Sequence, residues 1–413
     1  MRIKIIILTI ACTLLVSFLL FFSCSSSNHI AFEHYAIANP LPGDSWGTGG
    51  FTLADFDKDG DLDVTVQRLS DDYKVYWYEY RNDDEWISHF IGIAEDGQLG
   101  AAAVDVNRNG FTDLVLGHVW FQNPGILDTN PNAEWTKHYY NGDMPKENHD
   151  IVVSDINSDS INDIVKYNQT QSTLRWYDIT DPYDWKYADI ATDVNDDYVH
   201  SGMFPNGIVD LDNDGFPDII MPLYWYKNPG RTGEKWVKVE WPYIPVDPTP
   251  YGKGIRVWSG DINNNGLNDI IYSDCDVQHS RLYILFNQGG GKSWKMEEIS
   301  LPPGNVGESG SFHSLQVTDF NNDGLPDIFV GEQEDPDKLM KPPGLKERGI
   351  IFQNIGKAKN PGFSAIVINE DNPGWHDALV GDVDGDGDID IVSKIWHKDG
   401  ISYHLDFWKN KLK

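Results

Sequence analysis

The sequence predicts an all-β protein: a seven-bladed β-propeller with four-stranded blades, in which the N-terminal strand closes the last blade. Three observations support this prediction. An acidic nine-residue motif occurs seven times, its copies begin 50 to 63 residues apart, and short apolar segments lie at fixed places around each copy. An interval of that length accommodates four short strands with their turns, which is the size of one propeller blade.

The motif Asp-x-Asp/Asn-x-Asp/Asn-Gly-x-x-Asp defines the repeat. An apolar segment precedes each copy and a β-branched segment follows it, as at 101–104 and 218–221. An aromatic segment comes third, as at 75–78, and a fourth often begins with Trp, as at Trp86. β-Branched and aromatic residues favour strands, and the regular recurrence of the aromatic ones favours packing between blades over sugar stacking. The copies begin at Asp55, Asp105, Asp155, Asp210, Asp261, Asp319 and Asp382.

The two ends of the chain complete this scheme. The last repeat stops after its third strand, at Trp408, and residues 31–37 match a fourth strand. We therefore predict that residues 31–37 complete the last blade and that residues 31–413 form one propeller. Such closure removes the open edge strands that otherwise promote aggregation.

The N-terminus has the pattern of an export signal. Arg2 and Lys4 precede an apolar run at 5–22, and Cys24 follows that run. This pattern predicts a signal peptide over residues 1–24 with a lipoprotein-type Cys24, a tether over residues 25–30, and an extracytoplasmic lipoprotein at the cell surface or facing the periplasm. An apolar run of 18 residues also allows an uncleaved membrane anchor. Cys275 is the one cysteine of the predicted folded part, which excludes a disulfide framework within one chain.

The net charge narrows the range of partners. The chain has 32 basic and 64 acidic residues, a formal net charge of −32. This balance argues against nucleic acid and against direct binding to anionic membranes. Contact with a membrane is therefore expected only through the lipid anchor. Many of the acidic residues occupy fixed motif positions, which indicates bound cations.

Each motif offers side-chain oxygens at positions 1, 3, 5 and 9, the type of ligand that Ca²⁺ prefers. Gly at position 6 allows a sharp turn around the ion, whereas the third copy has Ser160 there. The sequence thus predicts up to seven calcium sites, weaker in the second and fifth copies, where Asn replaces two acids. Position 12 of the first copy is Val66 in a predicted strand, which excludes a helical EF-hand. Acidic turns without an ion are the alternative.

The predicted ligands, four from each copy, are Asp55, Asp57, Asp59, Asp63, Asp105, Asn107, Asn109, Asp113, Asp155, Asn157, Asp159, Asp163, Asp210, Asp212, Asp214, Asp218, Asp261, Asn263, Asn265, Asp269, Asp319, Asn321, Asp323, Asp327, Asp382, Asp384, Asp386 and Asp390. These loops, each between two short apolar strands, resemble the FG-GAP/VCBS repeats of the integrin-α-type propeller. The resemblance covers about residues 46–408 and rests on the loops and the blade length, because the literal Phe-Gly/Gly-Ala-Pro signature is absent. It implies a calcium-binding propeller, a fold that can also present a surface to a protein partner.

A second group of residues is predicted at the opposite face of the propeller. The motif loops join first to second strands, so the starts of the first strands and the ends of the second strands surround the other mouth of the central funnel. Six residues before the motif, three repeats place His149, His313 and His376. Near the ends of second strands lie Arg68, His118 and Lys394.

Imidazoles beside cationic side chains suit proton abstraction next to a carbonyl or carboxylate, with Arg or Lys holding the developing enolate. We favour His149 with His118 as the catalytic pair. His313 with His376 is a second pair, which can also hold an additional divalent metal. The alternative is that each His only hydrogen-bonds a neighbouring blade. Further candidates are the rim residues Trp46, Trp258, Trp375 and Trp396 and a carboxylate pair of Asp274 and Glu332.

The last repeat carries a weaker resemblance. Pro-Gly-Trp-His-Asp at 373–377, the seventh motif, and His-Leu-Asp-Phe-Trp at 404–408 resemble propeller enzymes of the aldos-2-ulose dehydratase type and, more distantly, ulvan-lyase-type polysaccharide lyases. The resemblance implies a sugar substrate and β-elimination in the funnel. We therefore expect a calcium-binding propeller that acts on carbohydrate as a lyase or dehydratase. The alternatives are a non-catalytic module that binds glycan or protein, and a purely structural surface propeller.

Overall fold

The computed structural model describes residues 29–43, 46–69, 73–94, 99–142, 148–194, 199–231, 233–245, 252–334, 341–397 and 400–412. Every named element within these ranges is a β-strand. None of the described segments forms a helix with the length and apolarity needed to cross a membrane. The predicted signal peptide with Cys24 and residues 25–28 of the predicted tether lie outside the described residues.

The strands fall into seven consecutive groups, which we call blades 1 to 7. After β1 (Phe32–Ala38), blades 1 to 3 contain β2 (Thr48–Ala54), β3 (Asp63–Arg68), β4 (Lys74–Asn82), β5 (Glu85–Ile93); β6 (Ala101–Val104), β7 (Asp113–Leu116), β8 (Val119–Gln122), β9 (Thr136–Tyr139); and β10 (Asn148–Ser154), β11 (Asp163–Asn168), β12 (Thr173–Asp178), β13 (Lys186–Ala191). The segment entering blade 4 contains β14 (Val199–Ser201) and β15 (Pro205–Asn206), and the blade itself contains β16 (Ile208–Val209), β17 (Asp218–Ile220), β18 (Tyr224–Lys227) and β19 (Val237–Glu240). Blades 5 to 7 contain β20 (Lys253–Gly260), β21 (Asp269–Cys275), β22 (Leu282–Asn287), β23 (Trp294–Glu298); β24 (Phe312–Thr318), β25 (Asp327–Glu332), β26 (Arg348–Asn354), β27 (Phe363–Glu370); and β28 (Asp377–Gly381), β29 (Asp390–Lys394), β30 (Leu405–Asn410).

The blades form a closed ring around one axis. Within each blade the strands pair in chain order, as in β2-β3-β4-β5 of blade 1. The first strand of each blade contacts the first strands of its neighbours, and β2 contacts both β6 and β28. The first strands therefore surround the axis and the fourth strands lie outermost. This arrangement confirms the predicted seven-bladed propeller.

The N-terminal strand closes the ring as predicted. β1 pairs antiparallel with β30, in a register that joins Phe32 to Asn410 and Tyr35 to Phe407. The last blade thus consists of β28, β29, β30 and β1. Because the first and last strands share one sheet, unfolding of either end opens the ring.

Blade 4 departs from the predicted pattern. Its first strand is divided: β14 and β15 pair parallel with β20 of blade 5, and β16 keeps two residues paired with β17. Pro205 has no N–H to donate to an antiparallel ladder. Gly207 then turns the chain so tightly that its N–H bonds Met203 O at 2.8 Å. The entry to blade 4 is therefore shared with blade 5.

The hydrophobic core lies between adjacent blades. One cluster combines Val75 and Trp77 of blade 1 with Leu114 and Phe121 of blade 2. β3 is buried along its whole length, whereas most residues of β5 are exposed. Trp77 has no exposed surface. Third-strand aromatics thus fill the space between blades, as the recurrence predicted, because each propeller sheet packs face to face with the next.

A repeated asparagine, at or just after the end of the third strand, ties blades together. In blade 2, Asn123 donates its side-chain amide to Phe56 O of blade 1 at 2.8 Å and to Thr112 O at 3.0 Å. Asn228, Asn287 and Asn410 bond the preceding blade at the same place. In blade 6, the amide nitrogen of Asn354 has no hydrogen-bond partner among the described residues. Five blades thus share the residue, and four of them use it as a tie.

Candidate functional site

The motif loops are built around their first and ninth residues. In the second loop, Asp105 accepts the main-chain N–H of Gly110 at 2.7 Å. Asp113 is fully buried and accepts N–H groups of Val106 and Asn123 at 3.0 and 2.8 Å. Burial raises the pKa of Asp113 to about 7. The ninth aspartate thus ties the loop to the third strand, and a nearby cation would favour its charged form.

Three of the loops have the geometry to hold a cation. Carboxylate oxygens at positions 1, 3 and 9 lie within 4.8 Å of one another in the loops that begin at Asp55, Asp210 and Asp382. Two buried oxygens there, Asp212 Oδ1 and Asp382 Oδ1, accept no hydrogen bond from the described residues. Clustered oxygens without donors fit a hard cation such as Ca²⁺.

Ser160 does not prevent the third loop from forming. It adopts φ of +68°, in the left-handed region that Gly110 and its counterparts occupy. A Cβ built on the corresponding Gly215 or Gly324 meets nothing within 4 Å, so a side chain fits there. Ser160 N donates to Asp155 at 2.8 Å, as the glycine does in five other loops. The substitution therefore leaves the loop intact and strains only its own backbone.

At the opposite face, a small cavity lies on the axis. Its volume is about 40 Å³, room for about three water molecules. All seven blades contribute to its wall: Phe51, Leu99, Gly100, Ala101, His149, Asp150, Phe204, Arg256, His313, His376, Asp377 and Lys394. Four of the six predicted catalytic residues are therefore together, namely His149, His313, His376 and Lys394.

β-Bulges place two of these imidazoles. Asn148 pairs with Asn168 and Asp150 with Tyr167, so His149 is an extra residue in β10. Phe312 pairs with Glu332 and Ser314 with Gly331, so His313 is the extra residue in β24. A bulge bends a strand and redirects side chains, and bulges are frequent next to active sites.

The two bulged imidazoles differ in their hydrogen bonds. His149 lies with Nδ1 2.8 Å from Asp150 Oδ1, an arrangement that places its proton on Nδ1 and leaves Nε2 as an acceptor. His313 Nδ1 lies 2.8 Å from His376 O, and its Nε2 lies 2.9 Å from Arg256 Nη2. His313 is thus fixed on both sides, whereas His149 can accept a proton.

Two cations and three carboxylates lie beside these rings, and the third carboxylate, Asp276, has its Oδ2 3.9 Å from His313 Nε2. Arg256 Nη1 lies 3.7 Å from Asp150 Oδ1, and its Nη2 lies 3.6 Å from Asp377 Oδ1. Lys394 Nζ lies 2.7 Å from Asp377 Oδ2. The site therefore contains a ladder of alternating charges across the axis.

The burial of these groups sets their protonation. Burial lowers the pKa of His313 and His376, and it lowers that of His200 to about 3, so all three imidazoles are neutral at pH 7. Burial opposes the charge of Asp150 as well. The adjoining His149, which is hydrogen-bonded to Asp150, and the positive charge of Arg256 outweigh that effect and hold the pKa of Asp150 below its ordinary value. Neutral imidazoles and ionised carboxylates thus coexist in one buried site.

The ligand distances allow the predicted divalent metal in the funnel, whereas the neighbouring charges oppose it. Ligand atoms of His313, His376 and Asp377 lie within 4.8 Å of one another. However, Asp377 already contacts the ammonium of Lys394 and faces the guanidinium of Arg256. Two resident cations at the one carboxylate oppose a divalent ion there. The group fits a metal by distance and not by charge.

Arg68 and His118 lie elsewhere. Arg68 donates to the carbonyls of Pro42 and Gly43 and stacks on Tyr403, so its guanidinium stabilises the loop after β1. The ring of His118 packs against Tyr139, at 5.7 Å between centroids. The ring of His149 instead neighbours His200 and His313, at 4.6 and 6.2 Å. The predicted pair of His149 with His118 is therefore not brought together, whereas the rings of His313 and His376 lie 3.8 Å apart between centroids, tilted by 30°.

The candidate carboxylate pair is also not formed. Asp274 binds Arg281 at 2.6 Å, and Glu332 binds Arg348 at 2.7 Å. Each acid thus has its own arginine within its blade, which satisfies the buried charge locally. Both ion pairs are structural supports of the funnel face.

Two of the four predicted rim tryptophans line the mouth of the funnel. Trp396 stacks on His376 at 5.4 Å, and Trp46 meets Trp396 edge to face at 4.9 Å with 44% of its surface exposed. Trp375 is fully buried against Trp408, and Trp258 packs on blade 6. An aromatic wall of Trp46 and Trp396 therefore leads from the rim to the axial site.

Glu334, which sequence reasoning did not identify, holds this wall in place. It is completely buried, and its Oε1 accepts the main-chain N–H groups of Trp396 and His397 at 2.7 and 2.9 Å. Burial raises the pKa of Glu334 to about 8. No local pattern marks Glu334. By contrast, Asp150 and Asp377 each directly follow a predicted His, so the repeated His-Asp pair was a usable signal.

A larger groove lies between the outer strands of blades 3 and 4. It measures about 620 Å³ and includes Trp176 and Trp236 in its wall. Its described lining contains no imidazole, and Lys238 there is paired with Asp193 at 2.9 Å. The axial site is therefore the stronger candidate for chemistry.

Comparison with known proteins agrees with the fold. The profile of the FG-GAP-like repeat matches residues 55–116 and 261–330. Integrin alpha pat-2 of Caenorhabditis elegans is 24% identical over 278 residues, which cover 57% of this chain and 22% of the integrin. This chain therefore spans less than a quarter of that relative's length.

Three solved structures are similar at 11% sequence identity each. They are the exotype rhamnogalacturonan lyase YesX (92% of this chain, 76% of that chain, TM-score 0.48), the V. cholerae biofilm matrix protein Bap1 (90%, 70%, 0.30) and a mutant of AofleA from Arthrobotrys oligospora (93%, 90%, 0.41). At this identity and TM-score, these likenesses carry no information about substrate or chemistry. The closed ring identifies the protein as a seven-bladed β-propeller, in which residues 55–116 and 261–330 match the FG-GAP-like repeat.

Proposed function

We propose that the protein is an extracytoplasmic, calcium-binding propeller that acts on carbohydrate by β-elimination at the axial site. The observation that carries this proposal is the His149–Asp150 pair, which faces the same cavity as Arg256 and Lys394. A base that is oriented by a carboxylate and lies beside fixed cations suits removal of a proton next to a carbonyl.

In this reaction His149 is the base. Asp150 holds Nδ1, so the lone pair of Nε2 takes the proton from the carbon next to the substrate carbonyl. The electrons of the broken C–H bond first move onto the carbonyl oxygen as an enolate, which then forms the C=C bond as the C–O bond at the adjacent carbon breaks. The departing oxygen takes a proton from water, and the hydroxide left behind takes the proton from His149. Arg256 and Lys394 supply positive charge for the enolate oxygen that develops between these events.

The size of the site limits what can enter it. A cavity of about 40 Å³ admits the reacting edge of a sugar and not a whole ring. The rest of the ring would lie outside, on the wall of Trp46 and Trp396. A flat indole offers a large apolar surface to the carbon-bound hydrogens of a sugar.

Calcium and the lipid anchor complete the proposal. We assign Ca²⁺ to the motif loops on the basis of their clustered oxygens, and its role is to stabilise the folded ring. The extracytoplasmic location rests on the pattern of residues 1–24, with Cys24 as the anchor and residues 25–30 as the tether.

The test is ultraviolet absorbance of the unsaturated product, with protein in calcium buffer against a panel of uronic-acid polysaccharides and keto-sugars. A rise that disappears in His149→Gln and in Arg256→Met, and persists in the control His138→Gln, supports the proposal. His138 is a suitable control because it lies in the outer strand β9, bonded to Gln122. A rise unaffected by His149→Gln contradicts the assigned base.

The second candidate function is a non-catalytic module that binds glycan or protein. Two observations favour it. The cavity is narrow, and both Arg256 and Lys394 already have carboxylate partners. Absence of product across the panel, together with glycan binding that Trp46→Ala weakens, would select this function.

A further inference from the structure

Two lysines of third strands contact the motif loops of blades 4 and 7. Lys227, the last residue of β18, contacts Asp212 and Asp214 at once, the latter at 2.6 Å. Lys409 of β30 contacts Asp384 and lies 3.8 Å from Asp386. In both loops the contacted residues are positions 3 and 5 of the motif. An ammonium group thus shares two of the four predicted calcium ligands.

The strand register places these lysines at one equivalent position. Ile219 pairs with Tyr226, and Ile391 pairs with Trp408, so each lysine lies one residue further, beside the ninth aspartate. The pairing of Val64 with Tyr78 puts Glu79 at this position in blade 1. The same position holds Gln122, Asp178, Phe286 and Gln353 in blades 2, 3, 5 and 6.

The charge at this position therefore varies from blade to blade. In blade 1, Glu79 adds a carboxylate near the loop, and it is itself bound to His89 at 2.8 Å and to Arg81. In blades 4 and 7, a fixed positive charge already reduces the repulsion among the aspartates. Each lysine contacts Oδ2 of its position-3 aspartate, and Asp212 Oδ1 still has no donor among the described residues. The loop thus remains able to take an ion, beside a charge that repels it.

We propose that Lys227 and Lys409 are built-in counter-ions, which keep the loops of blades 4 and 7 folded without calcium and weaken calcium binding there. The inference rests on the calcium part of the proposed function and is independent of the carbohydrate chemistry. Lys409 also bonds Asp83 of blade 1 at 3.1 Å. It thereby joins blade 7 to blade 1 at the seam where β1 and β30 close the ring, so the seam stays joined at low calcium.

The test is calcium titration by calorimetry, together with melting temperatures in calcium and in chelator. The variants are Lys227→Met, Lys409→Met and the double variant. Lys227→Arg retains the charge, and Lys238→Met removes a lysine whose partner, Asp193, is not a motif residue. We expect the wild type to show a weaker class of sites that binds about tenfold more tightly in the double variant, since one repelling charge is removed from each site. We also expect the melting temperature of the double variant to fall further in chelator than that of the wild type.

Three results would overturn the inference. One is unchanged or weaker calcium affinity in the double variant. Another is a Lys227→Met protein that does not fold even in saturating calcium, because the loop would then need lysine rather than any cation. The third is an equal effect of Lys238→Met. A wild type that binds no calcium at all would instead reject the calcium part of the proposed function, so the two failures are distinguishable.

Discussion

The asparagine that ties one blade to the next permits a prediction with an internal control. The amide of Asn123 donates to Phe56 O and Thr112 O, whereas the amide nitrogen of Asn354 has no partner among the described residues. The two residues are alike in two other respects, since each main-chain N–H bonds a ninth aspartate and each side-chain oxygen accepts a glycine N–H, that of Gly125 or Gly356. The oxygen of Asn354 also accepts the N–H of Gly362 at 3.2 Å. A comparison of Asn123→Ala with Asn354→Ala therefore tests the two donated bonds against a variant that loses one further accepted bond.

The magnitude follows from the two carbonyls that lose their donor. A buried polar group left without a partner costs about 1–3 kcal/mol, and part of that cost is recovered where water can enter. We expect Asn123→Ala to lower the free energy of unfolding by about 2–4 kcal/mol more than Asn354→Ala does. Denaturant unfolding in calcium buffer, followed by tryptophan fluorescence, measures the difference. Equal losses in the two variants would refute the idea that this amide fastens the blades.

Three other predictions concern single sites. Asp150→Asn should destabilise the protein by about 3 kcal/mol at neutral pH, because it removes the charge that faces Arg256. The pKa of Asp150 in the folded protein lies below its ordinary value of about 4, so this stabilisation is present above pH 4 and is lost as the pH falls. The acid unfolding curves of wild type and variant should therefore converge at low pH. Parallel curves would contradict this account. Ser160→Gly should raise the stability by about 0.5–1 kcal/mol in thermal melts, by relieving a positive φ, and a loss would mean that the hydroxyl is needed. Trp46→Ala should weaken glycan binding about tenfold without changing the melting temperature, whereas Tyr183→Ala, another exposed aromatic, should leave binding unchanged.

Much of the fold follows from local sequence pattern. The motif fixes where first and second strands meet, because its aspartates bond main-chain N–H groups of their own loop, as Asp105 does with Gly110. The interval between motifs fixes four strands per blade, and the strand-like segment before the first motif indicates closure by β1. These signals are local and repeated, so a single chain displays each of them several times. The same repetition identified the aspartates whose oxygens cluster at the loops.

The axial site could be predicted only in part. Equal distance before the motif placed His149, His313 and His376 at one end of the axis, and all three line one cavity in the structure. Equal distance after the motif singled out Arg68 and His118, which instead contact the carbonyls after β1 and the ring of Tyr139. Register alone does not say which way a side chain points once a bulge or a competing acceptor is present.

What the sequence determined is therefore the repeat, the closure and the loops, since each depends on contacts within one blade or between consecutive strands. What only the tertiary structure decided is which side chains meet across the axis, where residues more than 200 positions apart, such as Asp150 and Asp377, face one arginine. Those distances are set by seven sheets packing around a ring, and each depends on the volume of every interblade core. The charge beside each motif loop was likewise hidden in the register of the third strand. A lysine there is unremarkable in sequence and becomes a counter-ion only when the strand is paired.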